Sequence, residues 1–572
     1  MLSNAEIAAV LDQVADLLEF EGANVFRVRA YRNGSRTVQD LPESVGAILA
    51  DEDRQLTDIA GIGKDLAEKI ETLATTAALP FLDELLERIP ESVLALLRIP
   101  GLGPKKAAVL YRELNIENLD QLRAACEAGQ IRELKGFAAK TEQTILDGIE
   151  LAATADERIY WCHAEVIADA ILSHLDECSA IRRREVTGSF RRGRETVGDL
   201  DILVDSDDAE AVMDRFDEFP GIASQTGRGD TKMSVRLDSG LQVDLRVVNA
   251  EAYGTALCYF TGSQAHNIEI RSRAKQRGLK INEYGVFWGE EYVAGKTEED
   301  VYAALELPWI PPQLRESRRE FEWAETGQLP QLVELADIRG DLHMHTTATD
   351  GKNSLEEMIA AARKRKLKYI AITDHSQRVT MAGGLDESRL LAQWAEIDRL
   401  NDSLSGIQVL KGIECDILEK GGLDIEDDVL AQADWVVCSI HYGQNQPREQ
   451  ITRRILGAIE NPHVSAIAHP TGRLINRRKP YDVDLDAVYQ AAQEHGKLLE
   501  LNANPARLDL DDVACAAAKA HGVKIVISTD AHKIEGLDVM RYGILQAQRG
   551  GLTKDDVANT RTWPQMKKLI GK

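Results

Sequence analysis

Val186-Thr187-Gly188-Ser189-Phe190-Arg191-Arg192-Gly193-Arg194-Glu195-Thr196-Val197-Gly198-Asp199-Leu200-Asp201-Ile202-Leu203-Val204 sets a Gly-Ser turn ahead of an Asp-Leu-Asp that opens an apolar, β-branched run. Asp199 and Asp201 are two apart on a predicted strand, so both carboxylates project from one face. Two like charges held that close are costly unless a divalent cation lies between them. Val243-Asp244-Leu245 supplies a third carboxylate from a second strand. Three carboxylates from two strands suit two Mg²⁺ or Mn²⁺ ions that clamp the attacking and leaving oxygens of a phosphoryl displacement. Gly188 and Ser189 offer backbone N–H groups and a hydroxyl to a triphosphate. Arg192 adds charge where pyrophosphate leaves. Arg182, Arg183, Arg184, Arg191, Arg192 and Arg194 form a local positive patch.

Upstream, residues 1–150 read as short amphipathic helices joined by Gly-containing turns. Ile59-Ala60-Gly61-Ile62-Gly63-Lys64 is echoed by Ile99-Pro100-Gly101-Leu102-Gly103-Pro104-Lys105-Lys106. An apolar-Gly-apolar-Gly turn between helices lets the backbone reverse sharply. It also leaves N–H groups free at the next helix start to face a DNA phosphate, with Lys64 and Lys105 adding charge. Such contacts bind DNA without reading its sequence. Leu134-Lys135-Gly136-Phe137-Ala138 lacks the second glycine and is the weaker third candidate.

Downstream, a Pro-marked charged stretch at 308–337 reads as a connection. After 338, about seven short apolar strands alternate with helices, near the size of a (β/α) barrel. Nine of the twelve histidines lie after residue 340. His343 and His345 share a strand face, and Asp350 follows in a loop. His375, Glu414, His441, His469, and Asp530 with His532 each come just past a predicted strand, where barrel active sites form. Imidazoles and carboxylates without thiolates suit Zn, Mn or Fe, and nine such groups suit two or three ions. Ions held there make a hydroxide able to attack phosphorus at neutral pH. His463, His495 and His521 fall away from strand ends, and Cys415 and Cys438 read as core. Arg473 is the expected phosphate contact.

At 572 residues the length suggests about four domains. Hydrophobic content of 44% and charged content of 28% exclude wholesale disorder. The net charge of −26 argues against a chain coated for nucleic acid, though a local basic groove can hide inside a global sum. Seven scattered cysteines without a CxxC pair read as reduced thiols. The N-terminus carries a helix and no signal peptide, and no apolar run approaches bilayer length. The expectation is a soluble, cytoplasmic protein that acts as a monomer.

The segment around Asp199 resembles the palm motif of family X DNA polymerases, within the nucleotidyltransferase superfamily. Tyr259-Phe260-Thr261-Gly262-Ser263, His266-Asn267, Arg271 and Ile281-Asn282-Glu283-Tyr284-Gly285 match that family's thumb region. The histidine-rich block resembles a PHP (polymerase and histidinol phosphatase) domain, whose four motifs match across 338–532. Together they follow the motif order of a bacterial family X DNA polymerase with a C-terminal PHP domain.

The resemblance implies a multidomain α+β and α/β chain. A helical lyase-like domain at 1–83 and a helical fingers-type domain at 84–150 carry the helix-hairpin-helix motifs. A nucleotidyltransferase palm spans 151–250, a thumb 251–315 and a linker 316–337, before a distorted (β/α)7 PHP barrel at 338–572. It implies that Asp199, Asp201 and Asp244 hold metal and that Gly188, Ser189, Arg192 and Gly198 hold nucleotide phosphates. Tyr259 and Phe260 crowd the sugar, Asn267 touches the base, and Arg271 faces the template. Lys69 matches the lysine with which some members remove a 5′-deoxyribose phosphate, but Asp65 replaces a neighbouring phosphate-binding lysine.

The implied function is gap-filling synthesis from dNTPs on gapped or primer-template DNA during repair. The barrel would act as a 3′→5′ exonuclease, with abasic-site endonuclease or 3′-phosphatase as further phosphoester reactions. Two rivals are a DNA-end phosphoesterase whose polymerase half only binds DNA, and a non-catalytic DNA-end scaffold. The intact palm carboxylates argue against the first, and two complete metal constellations against the second.

Overall fold

The computed structural model describes residues 158–572 throughout. Before them it describes all but positions 1, 3, 40, 42, 43, 52, 53, 60, 77, 90–92, 94, 95, 97–101, 103, 135, 139, 140, 143, 144 and 147–157. The chain divides into two units, Met1–Glu157 and Arg158–Lys572.

In the first unit the helix Asn4–Glu21 buries Ile7, Leu11, Val14 and Leu18, spaced three or four apart on one face. They belong to one core with Ile70 and Leu73 of the helix Lys64–Thr76, Leu110 of Pro104–Leu114 and Leu122 of Leu119–Glu127. Between Leu56–Asp58 and Lys64–Thr76 the chain turns as expected. Ile62 N–H donates to Ile59 O (3.0 Å), and Gly61 sits at φ +95°. Leu134–Phe137 repeats this turn: Phe137 N–H donates to Leu134 O (3.0 Å), with Gly136 at φ +94°. The second glycine is therefore not what the turn requires. Gly63 lies outside the left-handed region, and only the first glycine of the pattern carries the unusual φ. Gly101, Gly103 and the Lys105 side chain lie outside the described residues.

In the second unit β1 (Ile159–Tyr160) pairs with β3 (Thr196–Val197). β2 (Arg183–Val186), β4 (Asp199–Asp205), β5 (Ile222–Arg228), β6 (Lys232–Leu237) and β7 (Gln242–Val248) form a sheet in the order β2-β4-β7-β6-β5. β4 and β7 run parallel, with Asp201 opposite Asp244. The helices Tyr253–Thr261 and Gln264–Gln276 follow. Next come β8 (Leu279–Asn282), β9 (Gly285–Trp288) and β10 (Glu291–Ala294), in a separate antiparallel sheet. Residues 316–326 pack into the fold, with Glu316, Glu320, Phe321 and Ala324 buried.

The remaining strands are β11 (Gly340–Asp341), β12 (Tyr369–Ile372), β13 (Gln408–Asp416), β14 (Trp435–Ser439), β15 (Ala466–Ile467), β16 (Leu498–Asn502) and β17 (Ile525–Ser528). All seven run parallel in sequence order. β12, β14, β16 and β17 are buried at every residue, as strands covered on both faces must be. A bridge between Met344 and Ala531 nearly closes the barrel. At the seam Asn559 Nδ2 donates to Gly340 O and Ile527 O (both 2.8 Å), and Asn559 Oδ1 accepts from Ile527 N–H (3.1 Å). One buried amide thus stands in for the missing β11–β17 ladder.

Candidate active sites

Alternation along β4 puts Asp199 and Asp201 on one face, and the parallel register brings Asp244 beside Asp201. Burial, then the charges of Asp199 and Asp244, push the Asp201 carboxyl up to about 7. Burial and Asp244 raise Asp199 in the same way. Lys232 on β6 offsets part of this repulsion, with its Nζ 2.6 Å from Asp244 Oδ2. A divalent cation would relieve the rest, so the donor set fits the ions expected there.

Gly188 sits at φ +64°, and a Cβ there would lie 2.7 Å from Asp201 Oδ2, so the turn before the carboxylates needs glycine twice over. Ser189 belongs to the single helical turn Gly188–Arg191. At Gly198 a Cβ would come 3.1 Å from an Arg158 nitrogen. Tyr259 and Phe260 meet edge to face, their ring centres 5.2 Å apart. Arg246 lies over Phe260 at 4.7 Å, and both line a small cavity with Thr187, Asp201, Lys232 and Asp244. Asn267 Nδ2 donates to Tyr259 O (2.6 Å), and exposed Arg271 donates to Asn267 O (3.3 Å).

The expected positive patch is largely neutralised. Arg182 and Arg183 pair with Asp205, Arg184 with Asp176, and Arg191 grips Glu298 through two bonds of 2.9 Å. Arg192 donates to Glu316 Oε1 (3.1 Å) and to Thr261 O (2.5 Å). Charge-assisted pairing within the fold outcompetes water for guanidinium groups. In the first unit Lys64 is exposed at the start of its helix, while Lys69 pairs with Asp65 and lies 5.7 Å over the Phe81 ring.

In the barrel, Glu414 at the end of β13 lies at the centre of the predicted ligands. Its Oε2 lies 2.8 Å from His375 Nδ1, 3.4 Å from His343 Nε2 and 3.6 Å from His345 Nε2. Its Oε1 lies 3.1 Å from His469 Nε2 and 3.5 Å from His441 Nε2. His345 Nε2 also lies 3.1 Å from Asp530 Oδ1. Asp350 Oδ2 faces His375 (3.5 Å) and His532 (3.4 Å). All nine groups converge. Eight of them fall into three sets able to hold an ion: His345, Asp350, His375 and His532; His343, His345 and Asp530; and His375, Glu414 and His441; His469 joins the cluster through Glu414.

Buried His343 Nε2, His345 Nδ1 and His469 Nδ1 lack a hydrogen-bond partner. Leaving such atoms unpaired costs about 1–3 kcal/mol each, a cost that coordination removes. His469 (φ +29°) and Asp530 (φ +53°) hold backbone conformations unusual for non-glycine residues. His463, His495 and His521 lie outside the cluster, and Cys415 and Cys438 are buried core.

Sequence reasoning missed the acids that aim these candidate ligands. Glu500 Oε1 lies 2.7 Å from His343 Nδ1, and its Oε2 accepts from His469 N–H (2.8 Å). Asp416 accepts from His441 N–H and faces its Nδ1, both at 3.0 Å. Asp374 accepts from Thr346 N–H (2.9 Å), fixing the loop after β11. Holding Nδ1 turns Nε2 of His343 and His441 toward Glu414 and sets the tautomer. The available signal was an acid inside or just past an otherwise apolar strand. Arg473, expected at a phosphate, instead pairs with Glu195 (2.5 Å) and donates to Arg507 O and Leu508 O.

Models of the DNA polymerase beta palm and thumb match residues 158–227 and 256–316. A helix-hairpin-helix domain matches 2–79, a SAM-like helix-hairpin-helix tandem 93–150, and a PHP domain 341–504. A protein of Bacillus subtilis named DNA polymerase/3'-5' exonuclease PolX is 41% identical over 561 residues, 97% of each chain. The chain belongs to the family X DNA polymerases that carry a PHP domain. Other relatives match only part of the chain. Probable phosphatases of Thermoanaerobacter sp. (strain X514) and Caldicellulosiruptor bescii are 30% and 32% identical over 233 and 201 residues. These matches cover 38% and 34% of this chain, and 89% and 79% of those proteins. In this family X chain, then, a PHP barrel is joined to a polymerase palm.

Proposed function

We propose that the chain fills short gaps in DNA during repair and trims 3′ ends with its barrel. The observation that carries this reading is the pairing of two metal-fitting constellations in a chain similar over nearly its whole length to a polymerase/exonuclease.

In the palm, Asp199, Asp201 and Asp244 would hold Mg²⁺ or Mn²⁺. Such ions supply charge that assists attack of a primer 3′-hydroxyl on the α-phosphate of a dNTP. The Gly188-Ser189 turn offers its N–H groups to the phosphates, beside Asp201. Tyr259 and Phe260 shape the sugar pocket, and Asn267 fixes the Tyr259 carbonyl. Arg192 can reach pyrophosphate only by sharing its guanidinium with Glu316.

In the barrel, His343, His345, Asp350, His375, Glu414, His441, His469, Asp530 and His532 would hold two or three Zn, Mn or Fe ions, which activate water toward phosphorus. Glu500 and Asp416 keep the imidazole Nε2 atoms turned inward. The Gly61 and Gly136 turns suit sequence-independent contact with the DNA backbone. Lys69 has its amine occupied by Asp65, which disfavours a Schiff base with an abasic sugar. The chain would act as a monomer. Among the described residues, no helix is long and apolar enough to cross a membrane.

The test is a 5′-labelled primer annealed across a one-nucleotide gap, incubated with Mn²⁺ or Mg²⁺. Lengthening with dNTPs and shortening without them is the expected result. Shortening alone would reduce the palm to a DNA-holding element.

A further inference from the structure

The helix Met540–Arg549 presents Tyr542, Leu545, Gln546 and Arg549 three and four residues apart, hence on one face. That face lies on the palm, against the far end of the Gly188 turn. Tyr542 meets Trp161 edge to face at 5.7 Å. Gly193 sits at φ +68°, a backbone conformation that favours glycine, and Leu545 packs beside it. Gln546 Nε2 donates to Gly193 O (3.1 Å). Arg549 Nη1 donates to Arg192 O (2.8 Å) and to Glu316 Oε1 (2.9 Å), while its Nη2 donates to Asp512 (2.7 Å).

Two carbonyls at the end of the phosphate turn, those of Arg192 and Gly193, are thus satisfied by a helix of the phosphoesterase barrel. The same Glu316 oxygen receives both Arg192 and Arg549. Arg549 therefore limits how fully Glu316 can claim Arg192, the one arginine of the turn expected at the nucleotide phosphates. The Arg549 side chain is 2% exposed, so this shared carboxylate is shielded from solvent and its pull on each arginine is strong.

We infer that Arg549 is a positioning residue for nucleotide binding in the palm, which makes the barrel a working part of the polymerase site as well as a second enzyme. Removing Arg549 leaves the Arg192 carbonyl without this partner and gives Glu316 to Arg192, drawing that guanidinium away from the incoming triphosphate. The inference rests on the gap-filling reading above.

The test is steady-state single-nucleotide insertion by the full chain on one-nucleotide-gapped DNA, with exonuclease activity on the same DNA measured in parallel. For Arg549→Met, KM for the dNTP is expected to rise about tenfold while kcat stays within about threefold. Arg549→Lys, which keeps the charge but gathers its donors on a single nitrogen, is expected to recover part of that loss. Exonuclease activity should hold, because Arg549 touches none of the barrel's candidate ligands. Gln546→Ala, which removes only the bond to Gly193 O, serves if Arg549→Met does not fold, with an expected KM rise of about threefold. An unchanged KM in these variants, or equal losses of kcat and exonuclease activity, overturns the inference. If the unmodified chain inserts no nucleotide, the gap-filling reading itself fails.

Discussion

His343 turns its Nε2 toward Glu414 because Glu500 holds its Nδ1 at 2.7 Å, so a residue outside the candidate ion-holding sets decides where a candidate ligand points. Glu500→Gln should lower exonuclease activity about 10- to 100-fold, the usual effect of losing such a partner. Primer extension should be unchanged; equal exonuclease rates for variant and parent would contradict the assignment. Gly188→Ala should abolish extension and spare the exonuclease, because its Cβ would lie 2.7 Å from Asp201. Retention of more than about a tenth of kcat/KM, where a 1.4 kcal/mol loss already costs tenfold, would show that the turn relaxes. At this scale the candidate ligands were legible and the acids that hold them were not. Asp199 and Asp201 show themselves by a spacing of two, and the imidazoles by following apolar runs. Glu500 lies inside one such run, Leu498-Leu499-Glu500-Leu501-Asn502, where periodicity alone gives an acid no assigned partner.

The helical turns and the barrel seam show what local pattern can and cannot carry. Gly136 takes φ +94° as Gly61 takes +95°, although its motif lacks the second glycine. Alanine in that region costs about 1–2 kcal/mol, so Gly136→Ala should weaken binding to duplex DNA several-fold at fixed salt, read by fluorescence anisotropy. An unchanged Kd would remove Leu134–Phe137 from the DNA-binding surface. The seven strands were legible as apolar runs between helices, but the seam was not. Asn559 lies more than 200 positions from Gly340, and nothing in its neighbourhood marks it as the bridge between first and last strands. Asn559→Ala should lower barrel stability by about 2–4 kcal/mol, since it strips buried carbonyls and an N–H of their partner. A melting temperature equal to the parent's would contradict that role.

Across the whole second unit, long-range ion pairs explain why a local run of arginines is a poor guide to a DNA-binding patch. Arg191 and Arg192 find Glu298 and Glu316 more than 100 residues away, partners that no local reading can assign. Burial alone would raise the Glu298 carboxyl, but Arg315 and Arg191 more than offset it and hold it at about 2, from an ordinary 4.5. The folded value is the lower one, so this stabilisation, on the order of 3 kcal/mol, is complete above about pH 4.5 and is lost as pH falls toward 2. Glu298→Gln should therefore melt below the parent by a margin that is widest above pH 4.5 and narrows in acid; a margin independent of pH would contradict the pairing. The central claim remains that two separate active sites share this chain. Its most direct test is the gapped-primer assay on Asp201→Ala and His343→Ala. Asp201→Ala should lose extension and keep shortening, and His343→Ala should keep extension and lose shortening. Loss of both activities from either substitution in a folded chain would contradict the account.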